Sequence, residues 1–126
     1  MNKHPISSNK LPPAAGPFVP AVQSNDIIFT SGQIGQDPKT GTLVEGGLEP
    51  QTKQALANLK SVVEAADKDM SDIIRVCIYL VDMADFAQIN TIYADFMNEP
   101  YPARTCIAVA ALPLGARFEI DAVIQA

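Results

Sequence analysis

Two periods of apolar positions divide this chain into strands and helices. Residues 18–23 predict a short edge strand, which Pro20 interrupts, and residues 26–34 have the density of β-branched side chains that is typical of a central strand. The following sequence QDPKTG, residues 36–41, supplies the proline and glycine of a turn. The segment before these strands is rich in Pro, Ser and Asn, which predicts an irregular, extended lead-in over residues 1–15.

Helical spacing follows in two places. Between residues 49 and 67 the apolar side chains fall three, four and seven positions apart, and Pro50 suits a first helical turn. A second helix is predicted from about residue 85, with Asp85 as its N-cap. Its predicted buried face consists of Phe86, Ile89, Tyr93, Phe96 and Met97.

Three further strands are predicted at residues 74–81, 104–110 and 116–124. The last two are joined by ALPLG, and we expect them to form an antiparallel pair. Two amphipathic helices are enough to cover one face of a sheet of about five or six strands, so the pattern predicts one α+β two-layer domain over residues 1–126. The other sheet face would need burial elsewhere, and contact with another subunit is the simplest cover.

Composition excludes several classes of function. A net charge of -5 argues against a nucleic-acid surface, and the uncharged apolar run of residues 105–116 is too short for a membrane span. The N-terminus has no apolar stretch after its basic residues, so no secretory signal is expected. Cys77 and Cys106 lie in strand-like segments, which favours free thiols and a reduced, cytoplasmic protein. With His4 as the one histidine, neither a zinc cluster nor a Ser-His-Asp arrangement is expected.

Strand alternation makes a specific prediction about the last two strands. Because the bulky set Thr105, Ile107 and Val109 belongs against the helices, Arg104 and Cys106 would point to the opposite side. In the final strand the same logic places Phe118 and its alternate neighbours under the helices. Arg104, Cys106 and Glu119 are therefore expected on one face of neighbouring strands.

This grouping has two interpretations. An arginine can hold a carboxylate by two parallel hydrogen bonds, and a nearby glutamate can orient or activate water, which together predict a pocket for a small acid with hydrolysis as a possible reaction. Alternatively, Arg104 and Glu119 form a structural ion pair and Cys106 fills the core. Ser31 and Gly32 likewise either end a strand or let a ligand approach the Gly32 backbone.

Several segments also carry a resemblance. They include GPF (16–18), FTSGQI (29–34), DPKTG, QALANLKSVVEAA (54–66), DFAQINTIYADFM (85–97), YPARTCIAVAALP (101–113) and FEIDA (118–122). Together they resemble the RidA (YjgF) family along nearly the whole chain. The resemblance implies a chorismate-mutase-like fold with a mixed sheet, assembled as a homotrimer with its sites in clefts between subunits. It also implies hydrolytic deamination of reactive 2-enamine and 2-imino acids, such as 2-aminoacrylate and 2-iminobutanoate, to 2-keto acids and ammonia.

The resemblance assigns roles residue by residue. Arg104 matches the arginine that clamps the substrate carboxylate, and Glu119 matches the glutamate that positions the attacking water. The substrate-binding positions that it implies are Phe18, Ser31, Gly32, Asn90, Arg104 and Cys106, and it implies neither a metal nor an organic cofactor. Phe18 stands where the family commonly has tyrosine, so a hydroxyl is missing there. A non-catalytic binder of small carboxylic acids is the alternative function, and an RNA-directed role fits poorly with the acidic charge.

Overall fold

Six strands and two helices make up the structure, a computed structural model that describes residues 2–126. In chain order they are β1 (His4–Ile6), β2 (Ala21–Ser24), β3 (Ile27–Thr30), α1 (Leu48–Ala65), β4 (Ile73–Leu80), α2 (Phe86–Phe96), β5 (Ala103–Ala108) and β6 (Phe118–Gln125). Short 3-10 turns lie at Met70–Asp72, Met83–Asp85 and Pro113–Gly115.

The strands form one mixed sheet in the order β1-β2-β3-β6-β4-β5. All neighbouring pairs are antiparallel except β4 and β5, which run parallel. Both helices pack on one face of this sheet, where α1 contacts β6 and α2. The predicted α+β two-layer architecture with about six strands is therefore confirmed.

The predicted antiparallel pairing of the last two strands is wrong. β4 lies between them, because β6 pairs with β3 and β4 while β5 adds to the outer edge of β4. The parallel ladder continues past β5, where the backbone N–H of Val109 donates to the carbonyl of Leu80 at 2.7 Å. Residues 109–117 then form a connection long enough to cross two strand spacings, roughly 10 Å, rather than a tight hairpin.

The N-terminal segment is more regular than expected. Within the predicted lead-in, His4–Ile6 form a strand that pairs with β2, with Pro5 opposite Val22. The edge of β2 offers unpaired backbone N–H and C=O groups, and these recruit a segment whose own composition does not predict a strand. Residue 1, the start of the predicted lead-in, lies outside the described residues.

The core confirms the helical stripe of α1 and corrects the entry into α2. Apolar side chains of both helices and of β3, β4 and β6 make one buried cluster. Asp85 occupies the N-cap position of α2, as predicted, but its side chain makes no capping hydrogen bond, because its carboxylate accepts two hydrogen bonds from Nη2 of Arg117, at 2.9 and 3.0 Å. The 3-10 turn before α2 is capped instead by Asp82, which accepts from the backbone N–H of Ala84 at 2.9 Å. Phe86, predicted as buried, remains partly exposed.

Within residues 2–126, the second face of the sheet has no helix over it. Phe29 and Ile107 are 54% and 46% exposed there. Polar side chains lie between them: the hydroxyl of Tyr79 donates to Asp121 at 2.8 Å, a bond that raises the pKa of Tyr79. We call this surface the open face. Across residues 2–126, no helix has the length and apolar character needed to cross a membrane.

Candidate active site

The predicted site residues form two separate groups on opposite faces of the sheet. Arg104 and Cys106 lie beside the buried Val76 and Ile78 of β4, so their side chains point toward the helices. Glu119 alternates with the buried Phe118 and Ile120 and points to the open face. The expectation that Arg104, Cys106 and Glu119 share one face is therefore wrong. It failed because β5 is an edge strand, so its bulkier residues are not forced to face the core.

The first group, which we call the arginine cluster, is built on one face of α2. Nη2 of Arg104 donates to Oδ1 of Asn90 at 2.7 Å. The guanidinium carbon lies 5.5 Å from the ring centroid of Phe86 and 5.0 Å from that of Tyr93. These three partners are spaced four and three residues apart, so one helix surface holds the cation by a hydrogen bond and two ring faces.

Arg104 has no acidic partner in the part of the chain that the structure describes. The ion pairs among residues 2–126 are Lys53–Glu49 and Arg117–Asp85. Cation–π contacts leave the guanidinium N–H groups free, and Asn90 takes up one of them. The interpretation of Arg104 and Glu119 as a structural ion pair is therefore wrong within one chain, and most N–H donors of Arg104 remain available to an anion.

Cys106 and Tyr93 complete the surroundings of this guanidinium. Burial raises the pKa of the Cys106 thiol, while the charge of Arg104 acts in the opposite direction. The thiol packs against the core, so it is a neutral filler rather than a nucleophile. Burial also raises the pKa of Tyr93, whose hydroxyl has no hydrogen-bond partner within residues 2–126.

The second group lines a cleft of about 510 Å³, which we call the glutamate cleft. Its walls come from the N-terminal segment, the loop after β3, the turn before β6 and Glu119 itself. Of the predicted residues it contains Phe18, Ser31, Gly32 and Glu119. Arg104, Cys106 and Asn90 do not line it, so the structure divides the predicted site into these two parts.

Glu119 lies directly against the backbone of Gly32. A Cβ placed on Gly32 would collide with Oε2 of Glu119 and come within 2.8 Å of its Cδ. Burial raises the pKa of Glu119, and the charge of Asp121 raises it further. Its carboxylate accepts no hydrogen bond from any group in residues 2–126, so it is free to exchange a proton with a bound molecule.

Ser31 has a structural task at the edge of this cleft. Its hydroxyl donates to the carbonyl of Val19 at 2.6 Å, and its backbone N–H donates to the carbonyl of Pro20 at 2.8 Å. These bonds hold the segment that carries Phe18, which is 53% exposed at the cleft wall. The strand-end interpretation of Ser31 is therefore confirmed, while Gly32 has the second role of making room for Glu119.

The sequence pattern predicts Phe86 and Tyr93 only as core residues and does not indicate their contact with Arg104. Their spacing from Asn90 was the available signal, since a helix places positions i, i+4 and i+7 on one face. Leu114 was missed as well. It follows a proline in the turn before β6 and lines the glutamate cleft, and no local pattern marks it.

These features define a class of protein: an α+β domain with a cation that is free to hold a small anion and a carboxyl group isolated in a cleft. Comparison with known proteins identifies a family with this fold. Residues 8–126 match the model of the family described as Endoribonuclease L-PSP. The chain belongs to this family, which includes the proteins named RidA and YjgF.

Its relatives carry several names. A Mus musculus protein named 2-iminobutanoate/2-iminopropanoate deaminase is 44% identical over 118 residues, which cover 94% of this chain and 87% of that protein. A Sinorhizobium fredii protein named only as a RutC family member is 44% identical over 121 residues, 96% of both chains. The crystal structure of RidA from an Antarctic Psychrobacter superposes with a TM-score of 0.94 at 36% identity, and covers 98% of this chain and 99% of that one.

Proposed function

We propose that this protein hydrolyses reactive 2-enamine and 2-imino acids, such as 2-aminoacrylate and 2-iminobutanoate, to 2-keto acids and ammonia. The observation that carries the proposal is the guanidinium of Arg104, which α2 holds in place with most of its donors free. A carboxylate is the ligand that such a fork binds best. A relative with 44% identity is named for this reaction, which supports the same chemistry here.

We also propose a homotrimer whose sites lie between subunits. Arg104 and Glu119 are on opposite faces of one sheet, so one chain cannot bring both to the same small molecule. A second copy can present its arginine cluster to the glutamate cleft of the first. The exposed apolar side chains of the open face, Phe29 among them, would gain burial from such an assembly.

The proposed chemistry needs only binding, water and a proton carrier. Arg104 holds the substrate carboxylate, so that the electrophilic carbon of the C=N bond faces Glu119 of the neighbouring subunit. Glu119 removes a proton from water as the water oxygen bonds to that carbon, and the electron pair of the C=N π bond moves to nitrogen. That proton then passes to nitrogen and gives a carbinolamine. Glu119 next takes the proton of the new hydroxyl group and delivers it to nitrogen as the C=O bond forms and the C–N bond breaks, so that the keto acid and ammonia leave. Its raised pKa suits Glu119 to both transfers.

The test is to generate 2-aminoacrylate in situ with a pyridoxal-phosphate-dependent dehydratase and to measure the rate of pyruvate release. We expect the protein to accelerate release, and Arg104→Ala to lower kcat/KM by at least about tenfold, because the substrate loses its clamp. Circular dichroism and light scattering confirm that fold and assembly are retained in the variant.

Two results would contradict the proposal. Unchanged turnover by correctly folded Arg104→Ala would remove the role of Arg104. No acceleration with any of several imine donors, together with measurable binding of a keto acid, would favour the non-catalytic binder of small carboxylic acids.

We also propose that the protein is cytoplasmic, since both cysteines are free thiols.

A further inference from the structure

We propose that Leu114 makes the glutamate cleft selective for imino acids with extended apolar side chains. The inference rests on the proposed function, which accounts for the carboxylate and the C=N bond of the substrate. It concerns the part of the cleft that would hold the substrate's side chain. Leu114 is carried by the turn Pro113–Gly115, directly before β6 and Glu119.

The backbone of Leu114 is in an unusual conformation for a branched residue. Its φ is 59° and its ψ is 17°, in the left-handed region, where glycine and asparagine are the common residues. Gly115 follows with a φ of 71°. Such a conformation is strained for a leucine, and strained residues of this kind concentrate at binding sites. Despite that strain, the side chain is 61% exposed and lines the cleft, so core burial does not explain it.

The cleft around Leu114 has little to offer a polar substituent. Leu11, Phe18 and Pro113 provide apolar walls near it. Of the polar side chains in the lining, Gln36 donates to the carbonyl of Gly41 at 2.9 Å and Ser31 donates to Val19, which leaves Gln33 as the lining amide without a hydrogen-bond partner in residues 2–126. Among the described residues that line the cleft there is no lysine or arginine. A polar group buried beside Leu114 would lose its water and could regain a partner only at Gln33 or Glu119, whereas an apolar group would gain contact with Leu114 and these walls.

The volume of the cleft exceeds the needs of a short substrate. Its volume in one chain, about 510 Å³, lies within the range of about 300–1,000 Å³ that is typical of pockets for drug-sized ligands. A four-carbon imino acid is much smaller than such a ligand, so it fills only part of the cleft. With the carboxylate on Arg104 of one subunit and the C=N bond at Glu119 of the next, the substrate side chain extends into the remaining space beside Leu114.

The experiment compares imines made by an amino-acid oxidase from 2-aminobutanoate, leucine and glutamine. We expect kcat/KM for the leucine-derived imine to exceed the other two by about tenfold, the range that apolar contacts of this size supply. Leu114→Ala keeps the Cβ and the backbone conformation but removes the apolar branch, so the leucine preference should fall to within about twofold. Leu114→Met restores an apolar side chain of similar length and should restore the preference.

A matched control is Ile74→Ala, which shortens an aliphatic side chain of similar exposure at the far end of β4. It should leave the preference unchanged. Equal kcat/KM for the three imines, or a preference that Leu114→Ala does not alter, would overturn the inference while leaving the deaminase proposal in place.

A binding measurement separates the two proposals further. Titration calorimetry with 2-oxobutanoate and 4-methyl-2-oxopentanoate uses the stable products instead of the imines. If no imine is accelerated, the proposed reaction fails, but a preference for the longer acid that Leu114→Ala abolishes still supports the apolar subsite. Equal affinity of both acids, or no binding of either, overturns it.

Discussion

Glu119 and Arg104 show how a single residue's role depends on what its neighbours leave free. Glu119 has a raised pKa and no hydrogen-bond partner in residues 2–126, while Asn90 and two aromatic rings hold Arg104 without neutralising its charge. A carboxylate beside that guanidinium within the same chain would have satisfied both groups and left no site. Their separation keeps each of them reactive.

Gly32 offers a direct test of how Glu119 is positioned. We expect Gly32→Ala to lower kcat/KM by at least about tenfold, because the new methyl group occupies the place of the Glu119 carboxylate. Thermal denaturation should change little, since the far end of a flexible side chain can move aside. The double variant Gly32→Ala with Glu119→Gln should be no slower than Glu119→Gln alone. Additive losses would show that Gly32 acts independently of Glu119.

Tyr93 makes a second prediction, about stability. Its buried hydroxyl lacks a hydrogen-bond partner in residues 2–126, and such a group costs about 1–3 kcal/mol of desolvation. Tyr93→Phe keeps the ring beside Arg104 and removes that cost, so the free energy of unfolding should rise, by up to about 1 kcal/mol. Urea denaturation measures the change. A clear loss of stability in this variant would mean that the hydroxyl has a partner in the assembled protein.

Helix α1 links the core to the cleft through buried polar side chains. Nδ2 of Asn58 donates to the carbonyls of Ile34 and Gln36, at 3.1 and 2.9 Å, and its Oδ1 accepts from Gln54 at 2.9 Å. Gln51, two turns earlier, accepts a hydrogen bond from the backbone N–H of Arg117 at 2.8 Å. One helix thus fixes both the loop after β3 and the start of β6, the two segments that meet at Glu119.

We expect Asn58→Ala to lower the free energy of unfolding by about 2–3 kcal/mol, because two buried carbonyl groups lose their donor. Lys60→Ala, at an exposed position of the same helix, is the control and should change stability by less than about 0.5 kcal/mol. Urea denaturation of both variants measures the difference. Similar values for the two would show that water replaces the amide of Asn58 at no cost.

The same elements show what the sequence could predict. The apolar stripe of α1 and the density of β-branched residues determine where helices and strands form, and both were visible in the pattern. The pairing of β5 was not visible, because residues 104–110 suit either edge of β4 and the choice depends on the path of residues 109–117. That choice also decides which way Arg104 points, so an error in topology became an error in the site. The resemblance names a set of site residues but does not assign them to faces of the sheet.

For the whole molecule, this topology predicts that the proposed catalysis depends on assembly. A single sheet carries the anion clamp on its helix side and the carboxyl group on its open face, and no movement of side chains brings them together through a sheet. We therefore expect turnover to be lost whenever the subunits separate, even if Arg104 of a single chain still binds a keto acid.

Mixed assemblies test this relation. Arg104→Ala and Glu119→Gln should each be nearly inactive alone. When equal amounts are unfolded together and refolded, a site between subunits takes its arginine from one chain and its glutamate from the next, so about one quarter of the sites combine two intact residues. We expect about a quarter of the wild-type rate, with the trimer confirmed by light scattering. If both residues served one site within a chain, every chain would carry a defect, and mixing would restore nothing.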